Sequence, residues 1–245
     1  MNKKCIVIFW TNDDIAIPQL FVNSIRLIMS NSIDIVILTD KKTPEIKKVN
    51  SIIRYDLNKY IMMARLQSYA NFKHTYEKIL FADADSLMIS PLVFPSKNKH
   101  IYLTLRKYDA LINYNYPNFY PEFENKKMSE VMPFLFGAII TIGDQSDFFK
   151  SLVNICEQLP LRFKKWYGDQ TSLYHFVKEK KLNYGLLDQD IYLKVYSNKL
   201  TYLDIKKGIR EGTSIVTFKG KKSKDFIFSS YKKILNIKLM PIALH

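Results

Sequence analysis

The sequence predicts a single α/β domain built on a mostly parallel sheet flanked by helices, and three observations carry that prediction. Its apolar runs are continuous and of strand length, as strands covered on both faces require. Segments with apolar residues at helical spacing lie between them. The 245 residues show no linker, low-complexity stretch or internal repeat, and the length fits one large domain. Hydrophobic residues at 47% and charged residues at 24% lie in the globular range and exclude disorder for the bulk of the chain.

The elements follow in order. Cys5–Trp10 is an unbroken apolar run and reads as a buried first strand. Pro18 suits the first turn of a helix, and Ile17, Leu20, Phe21, Ile25 and Ile28 then recur at helical spacing. Ile33–Thr39, ending at Asp40, is a second apolar strand. Strand, helix and strand at this spacing form a βαβ unit and imply parallel pairing. A short strand at Ser51–Tyr55, a helix over 59–74 and a strand at Glu77–Ala82 continue the alternation. Strands at Ile101–Arg106, Phe134–Ile142 and Ser214–Phe218 and helices at Ser146–Gln158 and Asp169–Lys180 complete it.

Several function classes are excluded. The chain has 7 glycines and neither a G-x-G-x-x-G nor a G-x-x-x-x-G-K-[ST] pattern, which argues against a Rossmann dinucleotide site or a P-loop. Cys5 and Cys156 cannot make a disulfide framework and read as inert thiols in a reducing, cytoplasmic setting. The six-residue apolar run after Lys3 and Lys4 is too short for a signal peptide. No stretch reaches bilayer-spanning length. The net charge is +14, with fifteen Lys and Arg against six Asp and Glu from Lys178 onward. Such a surface attracts nucleic acid, anionic membrane or phosphorylated substrates, or reflects only the lysine-rich habit of the source.

Between two strands, residues 107–133 carry Tyr108, Tyr114, Tyr116, Phe119, Tyr120 and Phe123, with Pro117 and Pro121 among them. A long aromatic insertion is either a binding loop or lid or a small satellite core. The most informative stretch is Phe81-Ala82-Asp83-Ala84-Asp85-Ser86. A buried strand here delivers two carboxylates to the carboxyl end of the sheet, where open α/β sheets bind ligands. Two hard oxygen ligands at that spacing suit Mg²⁺ or Mn²⁺ bound together with substrate phosphates.

Arg65-Leu66 followed by Tyr76-Glu77-Lys78-Ile79-Leu80-Phe81-Ala82-Asp83-Ala84-Asp85-Ser86-Leu87 resembles the family 8 glycosyltransferases, which include glycogenin and bacterial lipopolysaccharide glycosyltransferases. Phe134 with Gly137, Gly168-Asp169-Gln170, and Phe218-Lys219-Gly220 match further motifs in order. The resemblance implies a GT-A fold, a nucleotide-sugar donor, usually UDP-linked, retention of anomeric configuration, and a Mn²⁺ or Mg²⁺ ion. It implies that Asp83 and Asp85 hold the metal, with Asp83 also near the donor ribose and sugar. Arg65 matches the residue that reaches the diphosphate, and Thr11, Asn12 and Asp13 end the strand that cradles the nucleoside. Asp169 and Gln170 match the pair near the transferred sugar, the expected catalytic positions. By the same analogy the acceptor is a glycan or lipid-linked glycan, and the setting is surface polysaccharide assembly.

The chain departs from the family pattern near its end. Where that pattern has H-F-x-G-x-x-K-P-W, the sequence reads Thr217-Phe218-Lys219-Gly220-Lys221-Lys222-Ser223-Lys224. Thr217 thus replaces a metal-binding imidazole with a poorer ligand, and the diphosphate-binding Lys is displaced to Lys224 or replaced by Lys222. Leu135 and Phe136 fill positions that are small or polar in the pattern, so the acceptor side is expected to differ.

Other readings stay open. A D-x-D after a strand also occurs in haloacid-dehalogenase phosphatases, with Asp188 and Asp190 as a late acidic pair. A non-enzymatic nucleic-acid module would need basic residues interleaved with exposed aromatics; no nucleic-acid partner is expected, because the aromatic loop carries few charges. Trp166 and Tyr167 would stack on an acceptor sugar or merely pack. Four histidines, His74, His100, His175 and His245, show no zinc spacing. The domain divides into a nucleotide-sugar half at 1–106, an acceptor half at 107–225 and a basic amphipathic segment at 226–245. That last segment is read as lying on an anionic inner membrane face or packing as a final helix.

Overall fold

The computed structural model describes residues 3–96, 98–107, 123, 125–180, 182–219 and 222–239. Its elements are β1 (Lys4–Phe9), α1 (Ala16–Met29), β2 (Asp34–Asp40), β3 (Ser51–Tyr55), α2 (Ile61–Asn71), β4 (Lys78–Ala82), β5 (Ser86–Met88) and β6 (Ile101–Leu105). They continue with α3 (Met128–Val131), β7 (Phe134–Ile142), α4 (Ser146–Gln158), α5 (Leu161–Lys165), α6 (Gly168–Lys180), β8 (Tyr184–Leu187) and α7 (Gln189–Tyr192). The last are β9 (Lys194–Tyr196), α8 (Tyr202–Arg210), β10 (Ile215–Phe218) and α9 (Ser223–Leu239).

Among the described residues, seven strands form one sheet in the order β3-β2-β1-β4-β7-β6-β8. Pairing is parallel across β3-β2-β1-β4 and between β6 and β8. The strand β7 runs against both its neighbours. Successive side chains of β1 serve two cores: Cys5, Val7 and Phe9 face one side, while Ile6 and Ile8 face the other. This is why an unbroken apolar run was needed. On the first side lie α2, α4 and α6, packed on one another, with Tyr69, Phe81 and Phe149 meeting ring to ring. On the other lies α1, through Phe21, Val22 and Ile25.

A second, three-stranded sheet, β5-β10-β9, stands beside the first. It begins directly after the acidic segment, since β5 starts at Ser86, and it sets β10 antiparallel against that strand with Thr217 opposite Ser86. The helix α9 packs on α1, α8 and β10, burying Ile227 and Ile234. Ile227 and Ile234 of the segment that the sequence offered to a membrane face this third core, with Phe226 and Ile237 packed against it, while Phe228 is 37% exposed and residues 240–245 lie outside the described ones. No described helix is long and apolar enough to cross a membrane.

Tyr108, Tyr114, Tyr116, Phe119 and Tyr120 of the aromatic insertion also lie outside the described residues. Phe123 packs with Met128 and Tyr167 around Val131 and Met132, so this end of the insertion forms a small satellite core.

Candidate active site

Asp83 leaves β4 at the carboxyl end of the parallel strands, and its N–H donates to the carbonyl of Gly137 on β7 at 3.0 Å. Gly137 has no side chain for a local reason. A Cβ there would collide with the Asp83 carboxylate and with Leu193. Arg65 projects from α2, whose Met62, Leu66 and Tyr69 are buried. One guanidinium nitrogen, Nη1, donates to Asp83 Oδ1 at 2.8 Å, and Nη2 forms an ion pair with Asp169. The guanidinium also lies 4.9 Å from the Phe136 ring, within cation–π range. Thus Phe136, which departs from the small or polar residue of the motif, supports the arginine. The buried Nε of Arg65 has no hydrogen-bond acceptor among the described residues.

Asp169 lies in the first turn of α6 with its side chain at 0% exposure, and Gln170 N–H donates to it at 2.7 Å. Gly168 is required before it, because a Cβ would strike the Phe163 carbonyl. Gln170 accepts from Arg106 Nη2 at 2.9 Å, and Arg106 Nε donates to the Met132 carbonyl at 3.0 Å. Arg106 is a site residue that sequence reasoning saw only as the end of a strand. Beside this pair, Tyr167 takes a left-handed φ of 64°, a conformation that costs a non-glycine residue free energy. Trp166 is 46% exposed.

The second carboxylate, Asp85, meets β10. Thr217 Oγ1 lies 3.2 Å from Asp85 Oδ1 and 3.1 Å from its carbonyl. Lys219 Nζ lies 3.0 Å from Asp85 Oδ2 and 3.6 Å from Asp83 Oδ2. Burial works to raise the Asp83 pKa, but Lys219 and Arg65 outweigh it and hold the carboxyl below its ordinary range. For Asp85 burial prevails, reinforced by the charge of Asp83, and the pKa is raised; solvent at this third-exposed side chain tempers that rise. Burial also opposes the Lys219 charge, yet Asp85 and Asp83 raise its pKa overall.

The donor set fits a resident divalent ion poorly. Two carboxylates are present, but the third position offers a hydroxyl engaged with Asp85, and an ammonium contacts both acids. Among the described residues no group of three or more His, Cys, Asp or Glu is placed to hold a metal ion.

The remaining candidates distribute around this centre. Thr11, Asn12 and Asp13 follow β1, where Asn12 Oδ1 accepts from Asp14 N–H at 2.9 Å. Lys224 forms an ion pair with Asp14, which holds the Asp14 carboxyl below its ordinary range. Lys224 therefore ties α9 to the loop after β1. Lys222 is exposed beside α9, and Gly220 lies outside the described residues. Asp188 caps α7 through Asp190 N–H at 2.8 Å, and Asp190 pairs with Lys107. These two acids are thus engaged in a helix cap and in pairing with Lys107. A surface cleft lined by Tyr55, Asp56, Gln67, Asn71 and Lys150 shares no residue with the carboxylate cluster.

Sheet order, the acidic turn and the flanking helices together define a GT-A-type glycosyltransferase fold. The chain superimposes on the glycosyltransferase GlyE of Streptococcus pneumoniae TIGR4 with a TM-score of 0.59 and 13% identity, over 97% of this chain and 63% of that one. It therefore spans less than two thirds of GlyE. It also matches the galactosyltransferase LgtC in complex with donor and acceptor sugar analogues (TM-score 0.57, 9% identity, 98% and 97% covered). A glycosyltransferase involved in glycosylation of the major capsid of PBCV-1 matches with a TM-score of 0.53 and 10% identity, over 92% and 97%. At these identities the shared property is the fold. No protein-family model and no curated protein matches the sequence.

Proposed function

We propose that the protein is a glycosyltransferase that moves a sugar from a nucleotide-sugar donor, UDP-linked, to a glycan or lipid-linked acceptor with retention of configuration. The observation that carries this reading is Arg65 joined to both Asp83 and Asp169 at the carboxyl end of the parallel strands. One cation thereby ties the acidic turn to the start of α6, around the point where such sheets bind ligands.

As the glycosidic bond to the nucleoside diphosphate breaks, negative charge develops on the leaving group. Preorganised cations stabilise that charge in proportion to their proximity. Arg65 and Lys219 stand beside the carboxylates for this role, and the motif assigns Lys222 or Lys224 to the diphosphate as well. Thr11, Asn12 and Asp13 are assigned to the nucleoside. Asp169 and Gln170, the latter oriented by Arg106, are assigned to the transferred sugar, and Trp166 and Tyr167 to the acceptor. The family pattern further calls for a divalent ion on Asp83 and Asp85; the poor fit of the donor set sets that ion aside here.

The reading is tested by incubating the full chain with UDP-glucose, UDP-galactose and UDP-N-acetylglucosamine and following donor consumption by proton NMR. Release of UDP with the sugar first appearing in the donor's anomeric configuration supports it. Donors left intact with and without added glycan acceptors, and no binding of any nucleotide, would overturn it.

A further inference from the structure

We infer that the Lys219 ammonium takes the place of a divalent cation between Asp83 and Asp85, so that the protein binds a nucleoside diphosphate without metal. The inference rests on the nucleotide-sugar reading above and specifies how that site is charged.

Geometry comes first. A single ammonium contacts both acids, at 3.0 Å from Asp85 and 3.6 Å from Asp83. Its position is built by the backbone: Lys219 N–H donates to the Tyr196 carbonyl at 2.9 Å, and Phe218 N–H to the Asp85 carbonyl at 3.3 Å. The end of β10 is thus tied both to β9 and to the acidic turn itself.

The neighbouring substitution points the same way. Thr217 stands where the motif has an imidazole, and its hydroxyl is a proton donor directed at Asp85. A position that would offer a metal a lone pair instead offers Asp85 a proton, with its carbonyl at 3.1 Å and its carboxylate at 3.2 Å. Two residues on, the chain supplies a fixed positive charge at the same carboxylate. The two features complement each other: the expected imidazole is absent from β10, and a cation stands just beyond its end.

An ammonium has three N–H donors. Two partners are the carboxylates, which leaves a donor for a phosphate oxygen, and the Lys219 side chain is 50% exposed, so an incoming diphosphate can reach it. Lys219 thus supplies the phosphates with one fixed positive charge where a divalent ion would supply two.

Isothermal titration of UDP, GDP and CMP into the full chain tests this, each in EDTA and in Mn²⁺, alongside Mn²⁺ titrated alone. One nucleotide is expected to bind with affinities that agree within about threefold in the two conditions, with no heat from Mn²⁺ alone. Lys219→Ala should weaken that binding roughly tenfold or more, the worth of a charge-assisted contact, and Lys219→Arg should restore much of it. The Lys219 side chain is half-exposed, and circular dichroism of each variant checks that it folds. Thr217→His/Lys219→Ala should bind Mn²⁺ and make nucleotide binding depend on it. Wild-type binding that requires Mn²⁺, or Lys219→Ala binding nucleotide as tightly as wild type, would overturn the inference while leaving the donor reading intact. Binding of no nucleotide in either condition would overturn both.

Discussion

The Arg65 guanidinium and the Asp169 carboxylate form an ion pair whose acid is wholly buried, at 0% exposure. Asp169 reaches this position because α6 begins at Gly168, where close approach to Phe163 admits no side chain. Arg65 in turn binds Asp83, so one residue holds two acids that are 86 positions apart in sequence.

Arg65→Ala should destabilise the protein by about 3–5 kcal/mol, because it leaves a buried carboxylate uncompensated. Adding Asp169→Asn should return part of that loss by removing the stranded charge. Urea unfolding of the two variants measures the difference. Equal stability of the single and double variants would show that the pair does not couple.

Gly137→Ala should disturb the site more than the fold. The new methyl meets the Asp83 carboxylate and Leu193, and overpacking of this kind costs roughly 1–3 kcal/mol. Nucleotide binding should fall with Asp83 displaced, while Ala138→Gly, the neighbouring change in the opposite sense, should leave Asp83 in place. Calorimetric titration of both variants provides the check.

Arg106→Met should lower turnover more than donor affinity. It removes the 2.9 Å bond that orients Gln170 and the bond to the Met132 carbonyl, neither of which touches the acidic turn. Steady-state kinetics with saturating donor would show the drop in kcat, and an effect confined to donor KM would contradict it.

His74 makes stability depend on pH. Burial lowers its pKa from 6.5, against the opposing influence of Asp144 and of a hydrogen bond to the Tyr76 backbone. The unfolded chain therefore takes up a proton at a higher pH than the folded one. Stability from this residue is full above pH 6.5 and is lost as pH falls through that value toward the folded pKa. His74→Gln should flatten this part of the stability curve, as urea midpoints measured across the neutral and mildly acidic range would show.

Much of the main sheet was legible because period and length suffice to define it. The unbroken apolar run before Trp10 and the strand entering Asp83 could hardly be anything else. The direction of β7 was not legible, since a strand buried on both faces reads the same whichever way it runs. The second sheet escaped notice because β5 and β9 are three residues each, too short to show a period. The helix α8 did carry a signal: Thr201 and Asp204 form a reciprocal capping box, a recognisable spacing in the sequence.

Within the site, the acids announced themselves through their place after a strand, and Arg65 entered by resemblance. Lys219, Arg106 and Asp14 could not be found that way. Their partners Asp85, Gln170 and Lys224 lie 134, 64 and 210 residues away, and only the fold brings them together. The aromatic insertion was legible as unusual, but its end at Phe123 turns out to pack on Met128 and Tyr167.

The most direct test of the central claim is a thermal-shift panel of UDP, UDP-sugars, GDP and CMP on the wild-type chain and on Asp83→Asn/Asp85→Asn. A ligand that binds only the folded state raises Tm by mass action. One nucleotide class should raise Tm in the wild type and raise it less in the double variant, whose Arg65 and Lys219 have lost the carboxylates that position them. No shift with any nucleotide, or an equal shift in both proteins, would contradict a nucleotide-sugar site built on Asp83 and Asp85.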